Sequence, residues 1–227
     1  MKKICLLILA CACSGCVNLQ GGPRATLPTG TRELQDIALP APRMGGGKPL
    51  MQALKERQTS RNFNAKRLPL QLVSDLLWAA AGINRPDSGK RTAPSAKNWQ
   101  EVAVYAVTEE GAYLYDAKAN CLKIVAKGDL RGLTGRQDFA ASAPLDLLYV
   151  ADLAKMKDAT PENQLLYSGA DTGYISQNVY LFCASAGLAT GVRASVGGKA
   201  LVEALKLPAQ NRIVLAQSVG YAGAAGK

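Results

Sequence analysis

The sequence predicts a mixed α+β layer fold. Helical and strand patterns alternate along the chain; a Glu109-Glu110-Gly111 turn joins two β-favouring runs into a hairpin; and Leu145 to Ala151 is apolar at nearly every position, as in a strand covered on both faces. The hairpin brings antiparallel pairing into the sheet, which rules out a purely doubly wound arrangement.

Taken in order, residues 1–16 read as an export signal: Lys2-Lys3 provide the positive start, Ile4 to Ala12 an apolar core too short to span a bilayer, and Cys13-Ser14-Gly15-Cys16 a small-residue cleavage site. This stretch resembles a bacterial lipoprotein signal, which implies lipidation of Cys16 and an exported protein anchored to an envelope membrane; Cys11 is the alternative. Residues 17–48 carry Gly21-Gly22-Pro23, Pro28, Pro40, Pro42 and Gly45-Gly46-Gly47, the composition of a tether and lead-in. Leu34, Ile37 and Leu39 could lay it across the surface of the domain spanning residues 49–227.

Pro49 opens a helix whose Leu50, Ala53 and Leu54 share one stripe. Pro69 opens a second, with Leu72, Val73, Leu76, Leu77 and Ala80 on one face and Gly82 as its stop. Residues 82–98 are polar and long for a bare connection, hence functional or mobile. Strands are expected at Val102 to Val107, Ala112 to Asp116 and Leu122 to Ala126, then, after a loop at Gly128 to Arg136, at Leu145 to Ala151. A long helix follows from Gln164 to Ala186, with Ile175, Val179 and Phe182 inward and Gly187 as its cap. Leu188 to Ala194 is a strand, Lys199 to Leu205 a short helix, and Arg212 to Val219 the closing strand.

Composition narrows the chemistry. A formal charge of +10 favours anionic ligands, but the basic residues are scattered and form no block, so a nucleic-acid partner is not expected. The chain has 0 His, so any enzymatic activity needs another proton or electron carrier. Of 6 Cys, only Cys121 and Cys183 lie beyond residue 16, too few for a zinc site or a disulfide framework, and both are expected in apolar surroundings.

The stretch that best fits a binding site is Arg57-Gln58-Thr59-Ser60-Arg61-Asn62-Phe63. Two guanidiniums four residues apart, with hydroxyls between them at a chain reversal, suit a phosphate, although a solvated basic corner has the same composition. Gly45-Gly46-Gly47-Lys48 follows no strand and lacks phosphate-loop spacing, so it reads as linker. Asp171, Gln177 and Asn178 read as helix-face polar residues that satisfy a dimer contact or backbone groups.

Four features in order carry a family resemblance: Arg57 to Phe63; Pro94-Ser95-Ala96-Lys97-Asn98-Trp99-Gln100; Gly173 to Ala184 continuing to Gly187-Leu188-Ala189-Thr190; and Val219-Gly220-Tyr221. Together they resemble the nitroreductase family of flavoenzymes. Leu77-Trp78-Ala79-Ala80, Gly82-Ile83-Asn84-Arg85 and Arg91 to Ala96 are similar to its SagB-type, thiazoline/oxazoline-oxidase-like branch. The resemblance implies a mainly antiparallel sheet flanked by helices and a homodimer binding FMN at the subunit interface. It places Arg57 on the phosphate, Gln58 and Thr59 on phosphate and ribityl groups, and Arg61 at the N1–C2 edge of the ring. It further places Asn98 on the pyrimidine edge with Ser95 close by, and the backbone of Ala194 and Ser195 near N5. Trp99, Tyr174 and Phe63 are candidates to cover a ring face. Acidic residue and Gly stand in many relatives where this chain has Ala194 and Ser195, and relatives often continue to a basic residue on the phosphate where only Lys227 is present. That leaves the phosphate to Arg57 alone, or to Lys227 if the tail folds back.

A flavin carries hydride chemistry itself, so the protein need only bind, orient and tune it, which suits a chain without His. When a hydride reaches N5, negative charge gathers at N1 and the C2 oxygen, where a fixed guanidinium from Arg61 would raise the potential. The expected activity is ping-pong hydride or electron transfer between small-molecule or peptide substrates, with NAD(P)H as a reductant. Because NAD(P)H is scarce outside the cytoplasm, an azoline-type oxidase passing electrons to oxygen or a quinone is the alternative, and a non-catalytic surface-anchored binding module is the other.

Overall fold

The computed structural model describes residues 35–224. In chain order its elements are β1 (Ile37–Ala38), α1 (Leu50–Glu56), β2 (Phe63–Asn64), α2 (Leu70–Ala81), β3 (Ile83–Arg85), β4 (Lys90–Arg91), β5 (Val102–Val107), β6 (Gly111–Asp116), β7 (Cys121–Lys127), α3 (Asp138–Ser142), β8 (Leu145–Asp152), α4 (Pro161–Ala186), β9 (Ala189–Arg193), α5 (Gly198–Ala204) and β10 (Asn211–Ala222). The main sheet is 8-stranded in the order β1-β7-β6-β5-β8-β10-β2, with β9 also on β10. Every pairing is antiparallel. The mixed α+β class and its mainly antiparallel sheet are therefore as the sequence predicts.

The central position of β8 follows from its composition. It lies between β5 and β10, and alternation of side chains sends Leu145, Leu147, Tyr149 and Ala151 to the core beneath α2 and α4, and Leu148 and Val150 to the core beneath α5. A strand with a helical layer on each face must be apolar at both parities. In α2 the expected stripe buries Leu76, Leu77 and Ala80 completely. Each buried Leu contributes on the order of 1.5–3 kcal/mol from the area removed from water. Helix α2 ends as Gly82 turns to an extended conformation, φ −68° and ψ 161°, so close to the Trp78 side chain that an added Cβ would clash with it.

The structure departs from the sequence reading at several element ends. Helix α4 begins at Pro161, earlier than Gln164, because the Thr160 hydroxyl caps it by accepting the Asn163 N–H at 3.3 Å. Gly187 closes it in the left-handed region, φ 70°, as expected. Strand β10 runs on to Ala222 because β2 pairs with its last residues, Tyr221 with Asn64 and Ala222 with Phe63. The lead-in is tied to the body: Ile37 pairs with Leu122 in β7, and Leu39 N–H donates to Asn120 O at 3.0 Å. The polar stretch after Gly82 contains the small β3–β4 ribbon. The expected α1 stripe is buried only at Ala53, while Leu50, Met51 and Leu54 face solvent. Cys183 lies in the core, whereas Cys121 is half-buried at a strand end. Residues 1–34 and 225–227, including Cys16 and Lys227, lie outside the described residues. Among the described residues no helix is long and apolar enough to cross a membrane.

Candidate functional site

Helix α1, strand β9 and helix α4 converge on the Arg57 segment. Arg57 still donates its N–H to Ala53 O at 2.9 Å, but its ψ of 121° turns the chain out of α1 and along β9. Ser60 N–H then donates to Thr190 O at 2.8 Å. The approach is close enough that a Cβ on Gly191 would meet Ser60 O at 2.9 Å and Arg61 Cγ at 3.7 Å, so glycine is what lets these backbones touch. Tyr180 of α4 joins both strands of this arrangement. Its hydroxyl accepts the Val192 N–H at 3.0 Å and shares a hydrogen bond with the Thr59 hydroxyl, also at 3.0 Å. The Arg57 guanidinium lies 5.3 Å above the Tyr180 ring centre, an arrangement that holds the cation without consuming its donors.

Beside this segment opens a cavity of about 550 Å³ lined by Lys48, Lys55, Glu56, Arg57, Gln58 and Ser60 on one side and by Tyr180 and the Gly187 to Thr190 turn on the other. The lining brings three cations, Lys48, Lys55 and Arg57, together with the polar residues Gln58 and Ser60 against the single acid Glu56, a donor-rich set that suits a phosphate. Arg57 and Gln58 thus line one cavity, Thr59 is bonded to its Tyr180 wall, and Arg61 is exposed alongside β9.

Ala194 and Ser195 follow the end of β9, held from behind by a buried charge network. Arg193, 6% exposed, donates through Nη2 to Asp146 Oδ1 at 2.9 Å and Thr134 Oγ1 at 2.6 Å, through Nη1 to Ser218 Oγ at 2.6 Å, and through Nε to Thr134 O at 3.2 Å. Asp146 is fully buried and also takes hydrogen bonds from Thr134 Oγ1 at 2.8 Å and from Ser218 Oγ. With the partners around both ions satisfied, the pair forms a rigid base for the strand end. The turn beyond is equally fixed, with Gly197 N–H donating to Leu133 O at 2.9 Å.

Ser95 and Asn98 lie apart from these residues, lining a second cavity of about 210 Å³ with Arg85, Lys90, Arg91 and Gln100. Their loop is anchored on α4 by Ala96 N–H donating to Asp171 Oδ2 at 2.8 Å, so Asp171 satisfies a backbone group, one of the two roles its position suggested. Asp171 and Tyr180 are nine residues apart on α4, about 14 Å along the axis. The loop is tightly wound: Ser95 Oγ accepts the Gln100 N–H at 2.9 Å, and Lys97, Asn98 and Gln100 adopt φ of 48°, 55° and 48°. Three non-glycine residues in the left-handed region within four positions are held against local preference, a pattern that clusters at ligand-binding sites. Beneath it Glu101 is fully buried, and loss of water, followed by repulsion from Asp171, pushes its carboxyl up to about 7. Trp99 stacks edge-on against Tyr167 at 5.8 Å, Phe63 packs on Phe139 at 6.0 Å, and Tyr174 is 50% exposed.

The sequence reading missed Lys48, Lys55, Tyr180, Arg193 and Asp146. Lys48 follows three glycines that looked like linker, and the others join partners far along the chain.

Comparison with known proteins places these residues in context. The model of the family described as "Nitroreductase family" matches residues 54–221. A Methanocaldococcus jannaschii protein assigned as a nitroreductase is 27% identical over 151 residues, 62% of this chain and 76% of its own length. A crystal structure of a Ralstonia eutropha protein with the same assignment superposes with a TM-score of 0.81 at 40% identity, covering 89% of this chain and 97% of that one. A Desulfovibrio desulfuricans protein of this assignment, solved in complex with FMN, has the same fold, with a TM-score of 0.56 at 18% identity over 79% of this chain and 91% of its own.

Proposed function

The chain belongs to the nitroreductase family, and from that premise we propose that it is an FMN-dependent oxidoreductase whose phosphate site is the Arg57 cavity. The observation that carries the proposal is the lining of one cavity by Arg57, Lys48, Lys55 and Ser60, beside the glycine-dependent contact of Gly191 with Ser60. FMN would supply the hydride and electron chemistry; the protein's share is to bind and orient it. Arg57 would hold the phosphate, Gln58 and Thr59 would contact phosphate and ribityl groups, and Arg61 would bring a positive charge to the N1–C2 edge. The Ala194–Ser195 backbone, supported by the Arg193–Asp146 pair, would lie near N5.

Ser95 and Asn98 line a different cavity from Arg57, which fits a homodimer in which a second copy brings its loop to the ring. The exposed apolar residues of α1 (Leu50, Met51, Leu54) and α4 (Leu165, Leu166, Tyr174) are consistent with a covered face there. Cys16 as a lipidated residue, and hence an envelope-anchored protein, completes the reading. The SagB-like motifs at Leu77 to Ala80 and Arg91 to Ala96 keep an azoline-type oxidase, with oxygen or a quinone as acceptor, as the alternative to a reductase fed by NAD(P)H.

Anaerobic spectroscopy separates these activities. A yellow protein bleached by NADPH is a reductase; one inert to nicotinamides but bleached by an azoline peptide is an oxidase. A protein that stays colourless after incubation with FMN would leave only a binding module.

A further inference from the structure

We propose that Lys48 is a second ligand of the cofactor's terminal phosphate, placed from the lead-in to serve with Arg57. The inference rests on the FMN reading above. The backbone delivers this residue by a sharp bend: Gly46 and Gly47 have φ of 96° and 82°, and Lys48 N–H donates to Ser185 Oγ at 2.7 Å. A Cβ on Gly47 would lie 2.5 Å from the same Ser185 Oγ, so only glycine permits this approach to α4. The ammonium is thereby fixed at the C-terminal end of α4, where Nζ donates to Ala184 O at 3.1 Å and pairs with Glu56.

The charge balance favours an anion. Lys48, Lys55 and Arg57 against Glu56 give three positive charges and one negative, a net +2 among the residues lining the cavity. An ammonium with three protons can keep its carbonyl contact and still donate to a phosphate oxygen. The Lys48 side chain is 35% exposed, so it is partly desolvated yet open to the cavity. Glu56 competes with the phosphate for the ammonium, making it a built-in brake on affinity.

The test compares FMN with riboflavin, which lacks the phosphate, by fluorescence titration of the full chain. Lys48→Met should weaken FMN roughly tenfold, the loss of one charge-assisted hydrogen bond, and leave riboflavin unchanged. Glu56→Gln should tighten FMN and again leave riboflavin alone, a gain that misfolding would not produce. If both flavins weaken equally in Lys48→Met, or FMN affinity stays at the wild-type level, Lys48 is only a helix cap and the proposal is overturned. If wild-type protein binds neither flavin, the FMN reading itself falls first.

Discussion

The buried Arg193–Asp146 pair makes the fold sensitive to a single substitution. Both side chains are buried, at 4% and 0% exposure, and their partners on Thr134 and Ser218 come from separate parts of the chain. Asp146→Asn keeps the shape but leaves a guanidinium buried without its counter-ion, which costs about 3–5 kcal/mol in comparable sites. Replacing the pair together, Arg193→Met with Asp146→Leu, removes both desolvation costs, so the double variant should recover most of that loss. Urea unfolding followed by tryptophan fluorescence measures each variant, and the coupling comes from the full cycle. A loss below about 1 kcal/mol in Asp146→Asn, or a double variant as unstable as the sum of the singles, would refute the view that paired charge fixes the end of β9.

Other expectations follow from the same contacts. Glu101 holds its proton up to about pH 7, above its ordinary value of 4.5, so the folded state binds that proton more tightly than the unfolded chain. The resulting stabilisation is full below about pH 4.5 and is lost as pH rises through about 7, roughly 3 kcal/mol in all; in Glu101→Gln the urea midpoint should lose this slope, and a wild type equally stable at both ends of the window contradicts it. Gly191→Ala drives a Cβ against Ser60 O, a backbone atom 2.9 Å away, and should displace the Arg57 segment and weaken FMN in titration; unchanged affinity would show that this contact does not shape the site. Tyr180→Phe strips Val192 N–H and Thr59 Oγ1 of a shared partner and should cost about 1–3 kcal/mol in the same unfolding assay.

Elements with a local pattern were legible in the sequence. Leu145 to Ala151 declared a doubly covered strand by being apolar throughout, and the spacing from Leu72 to Ala80 declared the buried face of α2. Elements that exist only because of a distant partner were not: β2 is two residues long and forms against the end of β10, more than 150 positions later. The site divides in the same way. The cationic and hydroxyl character of Arg57 to Arg61 is written locally, but the bond from Lys48 to Ser185 spans 137 positions and that from Arg193 to Asp146 spans 47. No periodicity signals such pairs. The three glycines before Lys48 resembled linker because glycine serves both a loose chain and a close contact, and only the Ser185 hydroxyl distinguishes them.

In the proposed site the Arg57 cavity binds FMN through its phosphate. Equilibrium titration of the full chain with FMN, beside Arg57→Ala, tests it most directly. The expected result is a yellow wild-type complex that quenches flavin fluorescence and an Arg57→Ala protein with clearly weakened affinity for FMN but not for riboflavin. A wild type that takes up no FMN, or an Arg57→Ala variant that binds it as tightly as before, would contradict it.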